Sequence, residues 1–153
     1  MRFSIAHYLL ATLFTTSTAL NIIVNNDDSW GSANIREFYR LLKEKGHDVY
    51  LVAPSDFQSG QGGRTVFDTS PTLTKNSAYG ILKAGEPSFG TDPADSHIWY
   101  YNGTPAAVTF FALDYVVPKV TGWSKVDLVV NGPNFGNNLG PFLYTLSGTI
   151  GAT

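Results

Sequence analysis

The chain has no cysteine. That excludes a disulfide framework, thiolate metal sites and a cysteine nucleophile. At 153 residues it is long enough to bury a core without disulfides. Histidine is scarce: His7, His47 and His97 are the three. His7 lies in the N-terminal apolar stretch and the other two stand apart beside strands, so a histidine-type zinc site is not expected. Charge is scarce as well, at 14% of residues, and no basic patch interrupts the sequence. A nucleic acid polymer is therefore not an expected partner. No apolar run reaches the roughly 20 residues that a membrane-spanning helix needs, so no membrane partner is expected either. With 43% hydrophobic residues, the chain has the composition of a folded domain.

Residues 1–19 read as a cleavable secretory signal. Arg2 is the n-region charge, Ile5 to Phe14 an apolar h-region, and Ser17-Thr18-Ala19 supplies small residues at the cleavage position. Cleavage after Ala19 removes one base and no acid, taking the formal charge from −2 to 9 − 12 = −3. The expected domain is 20–153, with no internal repeat.

The organising stretch is Leu20 to Trp30, LNIIVNNDDSW. Ile22, Ile23 and Val24 read as a buried parallel strand. The polar Asn25-Asn26-Asp27-Asp28 then falls at the strand's C-terminal end, where open α/β sheets place ligands. Two adjacent carboxylates repel unless a cation lies near them, and hard divalent cations take carboxylate oxygens. Asp27 and Asp28 therefore open a candidate metal site; a solvated turn leading into a helix fits the same residues.

Ser32 to Lys45 predicts a helix, with Ile35, Phe38, Tyr39 and Leu42 on one face, Ser32 as its cap and Gly46 as its stop. Asp48 to Ala53 predicts the next strand, which completes a βαβ unit and implies a parallel sheet. Ser55 to Arg64 is a glycine-rich loop on the same edge as Asp27. Residues 65–101 hold short extended pieces at Thr65–Phe67, Tyr79–Lys83 and Ile98–Tyr101, read as irregular strands or a hairpin insertion. Asn102-Gly103-Thr104 is a glycosylation sequon, with Pro105 against its use. Thr104 and Pro105 start a second helix that is expected to end before Pro118, with Val108, Phe111, Ala112 and Tyr115 on its buried face. Backbone N–H groups of Gly103-Thr104-Pro105 either meet an anion or serve ordinary capping. Lys125 to Val130 predicts a further buried strand. It is followed by an Asn- and Gly-rich loop from Asn131 to Gly140, and Leu146 to Ile150 reads as a helix start.

Four segments, NNDDSW, APSDFQSGQGG, NGTPAAV and VVNGPNFGNNLG with the later LSGTIGA, resemble the SurE family in order and spacing. That family comprises metal-dependent phosphatases of nucleoside monophosphates, and its secreted or vacuolar fungal members are described as acid phosphatases. The resemblance covers Leu20 to Thr153. It implies a Rossmann-like, three-layer α/β/α fold with a mainly parallel sheet, here C-terminally incomplete. It implies a divalent cation, Mg²⁺ or Mn²⁺, held by Asp27, Asp28, Ser59 and Asn134. It assigns Asp27, Asn138 and Ser147 to catalysis and Gly148 and Thr149 to phosphate. The implied partner is a small phosphomonoester, and a homo-oligomer is allowed. Two departures stand out: Ser29 where the family usually has Gly, and Asn131 where Ser is usual. The rival readings are a secreted, non-catalytic SurE-like chain and a ligand- or carbohydrate-binding module using Trp30, Trp99 and Trp123.

Overall fold

The computed structural model describes residues 18–141 and 143–153. Most of the expected signal, 1–17, lies outside the described residues. Five strands form one sheet: β1 (Asn21–Asn25), β2 (Asp48–Pro54), β3 (Phe89–Asp92), β4 (Asp95–Tyr101) and β5 (Leu128–Asn131). Their order is β3-β4-β2-β1-β5. β1, β2, β4 and β5 run parallel, and β3 pairs antiparallel with β4 at one edge. The hairpin expected within 65–101 is thus part of the main sheet. From β1 the chain goes outward through β2 and β4, then returns to place β5 on the other side of β1. The order reverses between β1 and β5, and that reversal leaves a crevice at their C-terminal ends.

Alternation along β1 assigns its side chains to two cores. Ile22 and Val24 face helix α1 (Ala33–Glu44), packing with Trp30, Ile35, Tyr39, Leu51 and Tyr100. Ile23 faces the other way, with Val52, Tyr101, Val108, Ala112 and Val116. These last residues belong to the sheet and to helix α2 (Pro105–Phe111) with its continuation. Helix, sheet and helix make the three layers that the parallel βαβ pattern requires.

Several local expectations are corrected. The second helix does not stop before Pro118. It continues from Ala112 to Thr121 as a π-helical stretch and ends at Gly122. Widening the turn is how a helix accommodates a proline that lacks an N–H and crowds the preceding carbonyl. Tyr79–Lys83 is no strand; Ala78–Gly80 forms a single 3₁₀ turn. Ser32 precedes α1 but its side chain caps nothing there; its Oγ accepts from Asn26 Nδ2 at 3.2 Å. Thr104 Oγ1 likewise accepts from the Val66 N–H at 2.9 Å. The Gly103 and Thr104 N–H groups are taken by the carbonyls of Tyr101 and Val66, so they do not present an anion site. The Asn102 amide is engaged with Ser55 and Asp68, which leaves the sequon side chain tied down. Among the described residues the strand expected as buried at 125–130 has β1 alone beside it, and Leu128 is exposed. No described helix is long and apolar enough to cross a membrane.

Candidate active site

β1 ends in four buried polar residues, Asn25, Asn26, Asp27 and Asp28. Each asparagine has a structural task. Asn25 Nδ2 donates to the Pro105 carbonyl at 2.9 Å and to Thr109 Oγ1 at 3.1 Å, which ties the loop to the start of α2. Asn26 Nδ2 donates to the Ser29 carbonyl and to Ser32 Oγ, which closes the turn into α1. Ser29 sits at φ +81°. A serine there costs roughly 1–2 kcal/mol of backbone strain, and total burial with bonds from Ser29 Oγ to the Ser55 carbonyl and from Ser32 N–H to the Ser29 carbonyl holds it. The turn leaves two carboxylates side by side at the C-terminal end of β1.

The carboxylates have different surroundings. Asp27 Oδ1 accepts the Thr149 hydroxyl at 2.8 Å. Asp28 Oδ2 accepts the Phe135 N–H at 2.6 Å. Burial pushes the Asp28 carboxyl above the usual carboxylate range; the Phe135 N–H pulls it down and the Asp27 charge pushes it further up. None of the ion pairs among the described residues involves either carboxylate.

Asp27, Ser59, Asn134, Asn138 and Ser147 line one cleft of about 340 Å³ at the C-terminal end of the sheet. Three chain segments meet there: the loop after β1, the glycine loop after β2 and the loop after β5. The glycine loop is pinned twice, by the Gln58 N–H to the Asp27 carbonyl at 2.8 Å and by the Gly62 N–H to the Leu146 carbonyl at 3.1 Å. No basic residue lines this cleft among the described residues. Asp28 is not among the residues lining the cleft, but it follows Asp27 directly and its Oδ2 accepts the N–H of Phe135, both of which are.

Two short helices, α3 (Leu143–Leu146) and α4 (Gly148–Gly151), close the far wall. Ser147 Oγ accepts the Ile150 N–H at 3.2 Å as the cap of α4, and among the described residues its own proton has no acceptor. Gly148 is required by close approach: a Cβ there would lie 2.8 Å from Asp27 Cβ and 2.9 Å from Asp27 Oδ2. Thr149 Oγ1 lies 2.8 Å from Asp27 Oδ1 and 3.3 Å from Asn134 Oδ1. One hydroxyl has one proton, and the shorter, charged contact takes it. Thr149, expected on phosphate, is thus engaged with Asp27.

Sequence reasoning missed this role of Thr149, together with Asn25 and Thr109. Thr109 Oγ1 donates to the Ala152 carbonyl at 2.8 Å and so joins α2 to α4 beneath the cleft. The spacing of 84 and 122 residues between such partners leaves no local signal. The tryptophans of the binding-module reading are structural. Trp30 is buried, Trp99 packs on Phe111 and Tyr115, and Trp123 donates to Asp48 and meets the Tyr50 ring.

The model of the family described as Survival protein SurE matches residues 22–153. An acid phosphatase of Yarrowia lipolytica is 50% identical over 142 residues, covering 93% of this chain and 40% of that protein. A 5′-nucleotidase SurE of Desulfovibrio desulfuricans is 37% identical over 136 residues, covering 87% of this chain and 44% of that one. The crystal structure of the SurE protein from Aquifex aeolicus superposes with a TM-score of 0.61 at 28% identity, covering 86% of this chain and 44% of its own. The chain spans less than half the length of these relatives. With its parallel sheet and its carboxylate loop at the strand-order reversal, the chain belongs to the SurE family.

Proposed function

We propose that this chain carries a metal-dependent phosphomonoesterase site that hydrolyses small phosphate esters of the nucleoside monophosphate kind. The observation that carries it is the meeting of buried Asp27 with Ser59, Asn134, Asn138 and Ser147 in one cleft without a basic residue among its described lining. The names of the acid phosphatase and 5′-nucleotidase relatives support the same chemistry.

The donor set suits a hard divalent cation. Asp28 is buried beside the Asp27 charge, which adds to its cost of ionisation, and no basic partner among the described residues offsets that cost. Since Asp27 takes the Thr149 proton, Asn134 Oδ1 faces the same point as an acceptor. Asp27, Asp28, Ser59 and Asn134 would hold Mg²⁺ or Mn²⁺, both of which take oxygen ligands and keep positions for water and phosphate. Once bound, the cation supplies neutralisation of phosphate charge and a lowered pKa for water.

The residues of the chain supply the rest. Asp27, fixed by Thr149, is the group placed to take a proton from attacking water or to attack phosphorus itself. Ser147 donates its hydroxyl proton, and Asn138 its amide, to phosphate oxygens in the same cleft. Gly148 lets the wall approach Asp27 closely. Phosphoryl transfer asks mainly for such positioning and charge stabilisation. The non-catalytic reading is favoured by no observation among the described residues. Secretion or delivery to the vacuole completes the proposal and rests on residues 1–19; N-terminal sequencing of the exported protein, starting at Leu20, tests it.

The test of activity is hydrolysis of a generic phosphomonoester with Mn²⁺ or Mg²⁺ added. Asp27→Asn keeps the shape and the Thr149 contact but removes the charge. The rate is expected to fall by about 10²-fold or more with the circular dichroism spectrum unchanged. Wild-type turnover by this variant would overturn the assignment.

A further inference from the structure

The end of β1 and the far wall of the cleft are joined by one hydroxyl that is not among the groups lining the cleft. Thr109 Oγ1, carried by α2, accepts from Asn25 Nδ2 at 3.1 Å and donates to the Ala152 carbonyl at 2.8 Å. The Pro105 carbonyl, at 3.4 Å, is the poorer acceptor for its single proton. Asn25 is wholly buried and fixed on every side. Its Nδ2 also donates to the Pro105 carbonyl, its Oδ1 accepts the Asn26 N–H at 2.7 Å, and its backbone carbonyl accepts the Gly132 N–H at 2.7 Å. At the other end, buried Ala152 donates its N–H to the Gly148 carbonyl at 3.0 Å, so its own carbonyl moves with α4. α4 carries Thr149, whose hydroxyl returns to Asp27 Oδ1. The bonds close a circuit from Asp27 through Asn25, Thr109 and Ala152 to Thr149 and back.

α4 has four residues, and a single helical turn does not hold itself. Its place is set by what grips it. On one flank Gly151 packs against the glycine loop, so closely that a Cβ there would come within 2.0 Å of the Gly62 carbonyl oxygen. On the other, the Thr109 hydroxyl draws the end of α4 onto α2 and, through Asn25, onto the strand that bears the carboxylates. The wall carries Ser147 and Thr149, and the strand carries Asp27. A shift of α4 therefore changes the spacing of the groups assigned to phosphate, and a misplacement of about 1 Å is enough to cost a site of this kind up to about 10²-fold. Valine would fill the same volume as Thr109, so the hydroxyl, and not the bulk, is what links the two halves.

We propose that Thr109 is a positioning residue of the cleft: its hydroxyl fixes the wall bearing Ser147 and Thr149 at the distance from Asp27 that phosphate requires. The proposal rests on the phosphatase reading above and adds a residue that acts on the site through Asn25 and Ala152 rather than by touching substrate. Deleting the hydroxyl leaves one Asn25 N–H and the Ala152 carbonyl without these partners. α4 then keeps its internal bonds but loses its tie to α2.

Two measurements on Thr109→Val and Thr109→Ser test it, each made well below the melting temperature of every variant. Thr109→Ala is a second deletion for the case in which valine unfolds the chain. The first measurement is amide hydrogen exchange. In Thr109→Val the Ile150, Gly151 and Ala152 amides are expected to exchange roughly tenfold faster or more, while Val49 and Leu51 in the core strand β2 change far less. The second is calorimetric titration with inorganic phosphate at saturating Mn²⁺. Thr109→Val is expected to weaken phosphate roughly tenfold or more. Thr109→Ser keeps the hydroxyl and is expected to restore both readouts. Exchange that rises equally in α4 and β2, with phosphate affinity unchanged, would make Thr109 a residue of stability alone and overturn the inference. So would α4 exchange that ignores the deletion, or a Thr109→Ser chain no better than Thr109→Val. Failure of inorganic phosphate to bind the wild-type chain would instead overturn the phosphatase reading, and this inference with it.

Discussion

At the N-terminal edge of the sheet, Asp95 accepts the Tyr39 hydroxyl at 2.8 Å and lies 3.8 Å from Lys43 Nζ. On the same edge Asp48 takes the Trp123 indole N–H at 2.7 Å, and Asp127 takes Lys125 at 2.8 Å and the Asn21 N–H at 3.0 Å. At the C-terminal edge Asp27 and Asp28 are more deeply buried, yet among the described residues they receive one hydroxyl and one backbone N–H and no basic partner. The Asp95 and Asp28 titrations diverge accordingly. Burial pushes Asp95 up, but the His97 N–H, the Tyr39 hydroxyl and Lys43 outweigh it and hold the carboxyl below the usual range. Burial pushes Asp28 above that range, and the Phe135 N–H does not cancel the rise. One edge contains its own counter-charges and serves the fold; the other has none among the described residues, which is what the proposed cation site requires.

Substitutions at the two edges should therefore fail differently. Gly148→Ala is expected to have the largest effect. Its Cβ would sit 2.8 Å from Asp27 Cβ, so α4 must move or Asp27 must turn. Overpacking of this kind costs about 1–3 kcal/mol, and the Mn²⁺-dependent rise in melting temperature should disappear with it. Calorimetry of a Gly148→Ala chain that binds Mn²⁺ at wild-type affinity would break the comparison.

Thr149→Val comes next. It keeps the volume and deletes the hydroxyl that orients Asp27. Loss of a group that positions a metal ligand typically weakens affinity by about 10–100-fold. The same titration should show that loss with the metal-free melting temperature changed little. An unchanged Mn²⁺ affinity would mean that the hydroxyl does not position the carboxylate.

The smallest effects compare Asp95→Asn with Asp28→Asn in metal-free protein. Asp95→Asn should cost about 1–2 kcal/mol at neutral pH and leave Mn²⁺ affinity intact. The folded pKa of Asp95 is lowered, so its stabilisation is present above the unfolded value of about 3.9 and is lost as pH falls through the folded value. Asp28 has the opposite sign. Its folded pKa is raised, so its contribution is full below the unfolded value and is lost as pH rises through the folded one. Asp28→Asn should therefore gain stability relative to wild type as pH rises, while Asp95→Asn loses it. Denaturant melts across pH in the presence of a chelator check both slopes, and slopes of the same sign would contradict the contrast between the edges.

Much of the frame was legible because the buried strands advertise themselves. Ile22-Ile23-Val24 and Val49 to Ala53 are short apolar runs ended by Asn25 and Pro54, and those ends fix the ligand edge of a parallel sheet. α1 was legible from its single apolar face. The second helix was misread because proline normally ends a helix, whereas a π-helical stretch carries Pro118 inside it. Tyr79–Lys83 looked extended from composition, but a left-handed Tyr79, a bond from Ala78 to Ser55 and bonds between Leu82 and Ser77 made it a turn. Within the site, residue types and motif order located Asp27, Ser59, Asn134, Asn138 and Ser147 at one edge. The work of Asn25, Thr109 and Thr149 was not legible, because it consists of hydrogen bonds between segments far apart in sequence. Ser29 was readable only as a conditional: its strain follows once φ is positive, and at +81° it is.

The central claim is that the C-terminal carboxylates lack a counter-charge that a divalent cation supplies. The most direct measurement is the thermal melt of residues 20–153 with and without saturating Mn²⁺, for the wild-type chain, Asp27→Asn and Asp95→Asn. A cation that binds the folded state alone raises the melting temperature by mass action. The expected result is a rise in the wild-type chain, an equal rise in Asp95→Asn from its lower starting point, and none in Asp27→Asn. A wild-type chain whose melting temperature ignores Mn²⁺, or an Asp27→Asn chain that rises as much as wild type, would contradict the claim.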